Sequence, residues 1–458
     1  MDGKTMWRRV LHGVGANAFT QIIIAIIQLL LVPTLITHWG LELYGWWILA
    51  SAVPSYLMLG DLGLSTAAGA DMTMHVARGD RLSAVVAFQN AWAAIAVLSS
   101  LVLIVGLSLI WTMPDQVIVP PNTVAPASAR LTLSLLTLQA VISLQGGVFL
   151  AGFRCVGMYA FGTYSQALIF LAEGVALVLI GVLNETPATA SLALVLCRAV
   201  GVGLQALLLC NRASWLKLGL GRASWSEVRR LLRPSAGAFA LTAAQITFLQ
   251  GTTLAVGAAS SVSSAAIFSS IRTLTRIGIQ LAGVVHKTLA PEYSVVSAQL
   301  DRTAQARIVA ASLLTSLAVL LPTSLVLLVF GGQIVRIWTH GAIEASWTFL
   351  GLMTLAMVVH GLWLPVSNLL LAINRHEQFS YMYLLLSMSS VALAYLLASY
   401  GREMGGALAV LLLDCATAWM IYRTSKNLLA TPQELLDVLG KDRQNIGNRI
   451  RLYFLSSR

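Results

Sequence analysis

His38-Trp39-Gly40-Leu41-Glu42-Leu43-Tyr44-Gly45 joins two apolar segments within Gly13–Arg81. The second segment carries an acid, in Leu57-Met58-Leu59-Gly60-Asp61-Leu62-Gly63-Leu64, and ends in the polar turn Asp71–Arg81. Apolar runs of about 20 residues are the length of a transmembrane helix. A carboxylate at that depth calls for a substrate, an ion or a counter-charge.

Composition agrees with this reading. The 458 residues are 57% hydrophobic and 10% charged, against about 25% charged in soluble domains. Mean hydropathy is +0.80. The apolar runs lack period-2 alternation and are about twice the length of a barrel strand, which excludes a β-barrel. The fold class is therefore an all-α polytopic membrane protein. Lys4, Arg8 and Arg9 precede an apolar run that is too long for a cleaved leader and reads as the first span. Cys155, Cys197, Cys210 and Cys415 lie in helices or beside basic loops, so no disulfide framework is expected.

Spans are expected at 14–36, 45–68, 83–111, 130–153, 160–183, 188–211, 234–257, 264–289, 307–331, 347–372, 381–400 and 405–424, twelve helices in all. The formal net charge of +11 could mark a nucleic-acid partner, but its distribution argues otherwise. Arg78, Arg81, Arg154, Arg212 to Arg233, Arg302, Arg307, Arg375 and the basic tail all fall on one side of the membrane. The other side holds little beyond Arg130, Arg336 and Arg402. By the positive-inside rule both termini are cytoplasmic, the excess charge is topological, and nucleic acid drops out. Trp39, Trp46, Trp47, Trp111, Trp338 and Trp347 fall near the outer helix ends, as an aromatic belt would.

The chain repeats itself. Arg8-Arg9-Val10-Leu11 leading to Phe19 resembles Arg229-Arg230-Leu231-Leu232 leading to Phe239. Ile110-Trp111-Thr112 recurs as Ile337-Trp338-Thr339, and Leu150-Ala151 with Arg154 recurs as Leu371-Ala372 with Arg375. Two six-helix halves in the same orientation, related by an axis along the membrane normal, form a transporter plan with the site at the interface. The division reads 1–211, a basic cytoplasmic connection 212–233, 234–424, and an amphipathic cytoplasmic tail 425–458. The connection, with Trp215 and Trp225 among its arginines, suits the inner lipid surface; a topology-fixing linker is its plainer reading. Thr431-Pro432-Gln433-Glu434 is a capping box that opens a short tail helix, stopped by Gly440.

Charged residues at helix-interior depth are Asp61, Glu173, Arg198, Arg272, Arg276 and Asp414. Each costs about 2.5–3.5 kcal/mol at the centre of a lipid-facing helix, so each must pair or line a wet cavity. Arg272 and Arg276 share a helix face and repel unless an anion lies between them; in the repeat they correspond to Ser51 and Ser55. Guanidinium forks suit phosphate, which makes Arg272, Arg276 and Arg198 anion-binding candidates. The rival reading pairs them with the acids to fix packing. Asp61, Glu173 and Asp414 are candidate counter-charges or coupling residues for a proton or sodium ion; a helix kink at Asp61 and buried interhelical bonds at the other two are the plainer readings. Asn17, Gln21 and Gln28 form a polar stripe on the first span, suited to gluing helices or to sugar hydroxyls. Lys287 lies where a cytoplasmic entrance would be, or where a snorkelling lysine would. No phosphate loop, HExxH, CxxC or GxSxG occurs, and no cofactor or metal is expected.

Gly15-Ala16-Asn17 leading to Gln28-Leu29-Leu30-Leu31-Val32-Pro33, then Trp39-Gly40, Tyr44-Gly45-Trp46-Trp47, Pro54-Ser55-Tyr56-Leu57 and Asp61-Leu62-Gly63-Leu64, resembles the polysaccharide flippases of bacterial O-antigen assembly. These belong to the multidrug/oligosaccharidyl-lipid/polysaccharide exporter superfamily. The specific resemblance covers the first two spans and Met72 to Asp80. It implies movement of undecaprenyl-pyrophosphate-linked oligosaccharide from the cytoplasmic to the periplasmic leaflet of the inner membrane, by alternating access through a cationic lumen. Membrane lipids, and glycan polymerase and ligase proteins, are the partners it implies. The tyrosine–glycine and Asp-Leu-Gly residues carry over as a signature, whereas Arg272 and Arg276 rest on the charge argument alone. A multidrug or small-cation antiporter of the same superfamily would need an acid-lined lumen, and a membrane glycan polymerase a large basic outer loop. A non-transporting scaffold is the third alternative.

Overall fold

In the computed structural model the described residues are 3–119, 123–298, 302–372 and 377–425. Their regular structure is entirely helical. The connection around Gly40 is far tighter than the sequence implies: helix runs unbroken from Gly3 to Leu57 except at Gly40, whose φ of 78° only glycine takes without strain. The chain doubles back there. Trp39 and Trp47 meet edge to face at 5.6 Å, whereas eight residues along a straight helix span about 12 Å. We label the two arms α1 (3–39) and α2 (41–57). α2 continues through a 3-10 turn, Met58–Asp61, breaks at Leu62 and Gly63, and resumes as Leu64–Ala77.

The rest follow in order: α3 (Arg81–Thr112), α4 (Pro126–Cys155), α5 (Tyr159–Val182), α6 (Pro187–Arg212), then α7 (Trp225–Ile246, a π-helical turn Thr247–Gly251, and Thr252–Ala259). They are followed by α8 (Val262–Ala298), α9 (Arg302–Trp338) and α10 (Trp347–Ala372). Helix Glu377–Ser425 is another hairpin, reversing at Arg402 (φ 48°), and gives α11 (377–401) and α12 (403–425). Local chemistry sets several starts: Asp80 caps α3 through Ser83 N at 3.0 Å, Thr186 caps α6, and prolines open α4 and α6.

Among the described residues nine helices are long and apolar enough to cross a membrane. Two of these are the hairpins, and each supplies two spans. α8 is missing from the nine because Arg272 and Arg276 lower its hydropathy; it makes the twelfth. The protein is thus an all-α, twelve-helix membrane bundle of two six-helix halves.

The halves are joined most closely at the Gly40 end. One continuous core there holds Trp39, Trp46, Trp47 and Leu136 from the first half with Val256, Phe268, Leu350 and Ala407 from the second. This corrects the aromatic-belt reading for three residues: Trp39, Trp46 and Trp47 are buried, and the Trp39 and Trp46 indoles donate to the Glu185 and Ile118 carbonyls. Trp111 and Trp347 are exposed, as a belt requires. Gly45 of α2 lies so close to α8 that a Cβ there would stand 2.4 Å from the Val262 carbonyl oxygen.

At the opposite, Asp80 end the cores are separate. One collects Leu64, Phe88, Phe149 and Leu216, with Leu231 from the start of α7; the other collects Ala244, Trp363, Phe379 and Met420. The link between halves at this end is the foot of α7. Arg230 there donates to both Asp71 carboxylate oxygens, at 2.7 and 3.1 Å. The basic connection is also more anchored than its charge implies, because Gln89 and Asn90 of α3 bond to the backbone of Lys217, Arg222 and Ser224. Tail 426–458, including the expected capping box at Thr431, lies outside the described residues.

Candidate functional site

A cavity of about 410 Å³ lies in the second half, walled by α7, α8, α10, α11 and α12, with Gln21 of α1 reaching in from the first. It extends along α10 from Met353 to Asn368, about 22 Å at 1.5 Å per residue. Its charged and titratable lining includes Arg272, Arg276, His360 and Asp414.

The two arginines share a helix face but have different surroundings. Arg272, 8% exposed, reaches across to α7. Its Nη1 donates to Thr252 Oγ1 at 2.8 Å, and its Nη2 donates to the Leu249 carbonyl and to Thr253 Oγ1. The Phe268 ring lies 4.9 Å from the guanidinium carbon. Leu249 sits within the π turn Thr247–Gly251, where the helix ladder is widened and carbonyls become available to outside donors. Arg272 is therefore held mainly by protein. Arg276, one turn along, forms no hydrogen bond or ion pair with any described residue, and it lines the cavity.

Asp414 is the cavity's carboxylate among the described lining residues, and it is 2% exposed. His360 Nδ1 donates to its Oδ1 at 2.9 Å, and Trp363 Nε1 donates to the same oxygen at 3.0 Å. Aromatic contacts brace this group: Phe248 stacks on His360, and Trp363 meets Tyr383 at 5.5 Å. The Gln280 Oε1 atom, on a side chain lining the cavity, is buried without a hydrogen-bond partner. His360, Trp363 and Gln280 escape the sequence reading. The available signal was a histidine within an apolar span, one turn before a tryptophan.

Other expected site residues lie elsewhere. Arg198, an anion-binding candidate, is engaged by Glu173: Nε donates to Oε1 at 2.8 Å and Nη2 to Oε2 at 2.6 Å. Gln139 adds a third bond to that carboxylate. Neither Arg198 nor Glu173 lines the cavity, which corrects the lumen placement of Arg198; a buried pair needs its full set of partners, and these two supply each other. Asp61 is not beside the arginines either. Its Oδ1 accepts from Ser65 N at 3.1 Å and Ser65 Oγ at 2.8 Å, so it satisfies part of the first turn of the helix that resumes after Gly63. The bend expected there is present, and Asp61 stabilises its far side. Asn17 donates to the Gly13 carbonyl and touches Tyr159, facing a separate chamber in the first half. Lys287 belongs to α8, with its side chain outside the described residues.

No protein-family model matches the chain, and no curated protein matches it in sequence. Solved structures do. The lipid II flippase MurJ in an inward closed conformation superposes with a TM-score of 0.72 at 13% identity, over 92% of this chain and 88% of that one. An inward-facing multidrug resistance MATE transporter of the MOP superfamily gives 0.69 at 15%, over 88% and 97%. A MOP superfamily transporter from Pyrococcus furiosus, described as having a binding pocket of reversed polarity, gives 0.63 at 14%, over 91% and 94%. The chain has the fold of MOP superfamily transporters.

Proposed function

We propose that this protein is a flippase that moves undecaprenyl-pyrophosphate-linked oligosaccharide from the cytoplasmic to the periplasmic leaflet of a bacterial inner membrane, for O-antigen or related surface polysaccharide. The observation that carries this reading is Arg276, a half-buried guanidinium that lines the cavity with no hydrogen bond or ion pair to any described residue. A cation partly withdrawn from water is stabilised by a counter-charge, and a pyrophosphate brings one that binds the planar fork through two oxygens. Arg272, one turn away, adds to the same positive field. The fold shared with a lipid II flippase supports cargo of this kind, since its headgroup must cross hydrocarbon while its tail stays in lipid.

In this reading 1–211 and 234–424 are the rocking halves, both termini are cytoplasmic, and the seal at the Gly40 end marks a state closed toward the periplasm. Asn17 and Gln21, both from the first half, meet the glycan. Asp414, held by His360, is the coupling or counter-charge residue for a proton or sodium ion, and Lys287 stands at the cytoplasmic entrance. Glycan polymerase and ligase proteins take the product. A cation antiporter fits less well, because the cavity's described acid is tied to His360 and Trp363 while Arg276 stands open.

The reading is tested by removing the gene and labelling lipid-linked glycan on each face of the membrane. Accumulation on the cytoplasmic face with loss of surface polysaccharide is expected. Unchanged surface polysaccharide without accumulation would show that the cargo is something else.

A further inference from the structure

A second polar chamber lies in the first half, where α1, α4 and α5 meet toward the Asp80 end. Its volume is about 180 Å³, and Asn17, Thr20, Arg154, Tyr159, Thr163 and Gln166 supply its polar lining. At about 30 Å³ per water this is the room of about six waters, the bulk of one sugar ring.

The hydrogen-bonding character of the wall is mixed. The Arg154 guanidinium carbon lies 5.6 Å from the centre of the Tyr159 ring, and no described carboxylate pairs with it. Tyr159 Oη lies 3.3 Å from Asn17 Nδ2. The Thr20 and Thr163 hydroxyls spend their protons on the Ala16 and Tyr159 carbonyls, at 2.8 and 3.0 Å, and so offer lone pairs. Gln166 Oε1 accepts from Gln205, which leaves the Gln166 amide protons as donors. A phosphate would satisfy the Arg154 and Gln166 donors but offer nothing to the threonine lone pairs. A sugar hydroxyl both donates and accepts, and a tyrosine at the rim adds a ring for its C–H face.

The chamber also has a fixed relation to the larger cavity. Thr20 lines one and the adjacent Gln21 lines the other, so α1 is the shared wall. We propose that this chamber is the glycan subsite, reading a sugar of the cargo while Arg276 holds the pyrophosphate in the other half. The proposal rests on the flippase reading and adds a division of labour: the second half recognises charge and the first half recognises sugar.

The test uses the full chain in lipid nanodiscs and two probes, undecaprenyl pyrophosphate and the same lipid carrying a short N-acetylhexosamine oligosaccharide. Wild type is expected to bind the sugar-bearing lipid about tenfold more tightly, the scale of a few matched polar contacts. Gln166→Ala and the conservative Tyr159→Phe should each shrink that margin while leaving affinity for undecaprenyl pyrophosphate unchanged. Arg276→Gln should weaken both lipids alike. Equal wild-type affinity for the two probes overturns the subsite, as does a Gln166→Ala or Tyr159→Phe variant that keeps the full margin or loses both lipids equally. If wild type binds neither lipid, the flippase reading itself fails, and the subsite with it.

Discussion

His360 Nδ1 lies 2.9 Å from Asp414 Oδ1, on the wall of the same cavity that Arg276 lines. The carboxylate is thus held on α12 by a histidine and a tryptophan from α10. If that pair carries the coupling ion, Asp414→Asn keeps the oxygen that Trp363 needs and removes the charge. We expect the variant to fold and bind cargo but to lose stimulation of transport by an imposed proton or sodium gradient, read in proteoliposomes. Stimulation equal to wild type would move the coupling site away from this pair.

Arg198 and Glu173 make a different prediction, because they satisfy each other away from the cavity. Removing one partner of a buried pair typically costs about 3–5 kcal/mol, while replacing both with apolar side chains of similar size is often neutral. Arg198→Met should therefore lower the melting temperature sharply, and Glu173→Leu/Arg198→Met should restore most of it. Transport per folded molecule should be near wild type in the double variant. A folded double variant that fails to transport would return Arg198 to the lumen.

Asp61 should behave as a surrogate cap, two residues before the N-cap Gly63, through its bonds to Ser65. Asn caps nearly as well as Asp, whereas Ala loses about 0.5–2 kcal/mol. Asp61→Asn should match wild type in stability and in transport across pH, and Asp61→Ala should be destabilised only. Transport by Asp61→Asn that becomes insensitive to pH would assign a coupling role to this acid.

Gly45 meets the Val262 backbone across the halves, and a Cβ there would fall 2.4 Å from a carbonyl that cannot turn away. Gly45→Ala should spread the Gly40 end. A cysteine at Val262 should then react faster with a membrane-impermeant maleimide than in the parent background. Equal rates would mean that the seal does not depend on this contact.

The number of spans was legible because hydrocarbon thickness acts through a sequence-local property, the length of each apolar run. The hairpins were only half legible: Gly40 is the residue a one-residue reversal needs, but its completion depends on Trp39 meeting Trp47. The reversal at Arg402 falls between the spans expected at 381–400 and 405–424, but the adjacent Gly401 rather than Arg402 is the residue that would mark it. In the site, Arg272 and Arg276 stand out as paired charges on an apolar helix. Their different fates did not, because Arg272 is claimed by a π turn on α7, a departure in backbone that no residue type announces. The Arg198–Glu173 pair was equally hidden, since two charges on successive spans can face one another or the lumen with the same hydropathy. His360 joins Asp414 from 54 residues away, and only the packing of α10 on α12 brings them together.

The most direct measurement of the central claim is translocation of lipid-linked oligosaccharide by the purified full chain in proteoliposomes, comparing wild type with Arg276→Gln at matched protein level and melting temperature. Loss of an unshared charge contact to the pyrophosphate should slow translocation by about tenfold or more, since charge-assisted hydrogen bonds contribute about 1.5–3 kcal/mol. Translocation by Arg276→Gln at the wild-type rate would contradict the account.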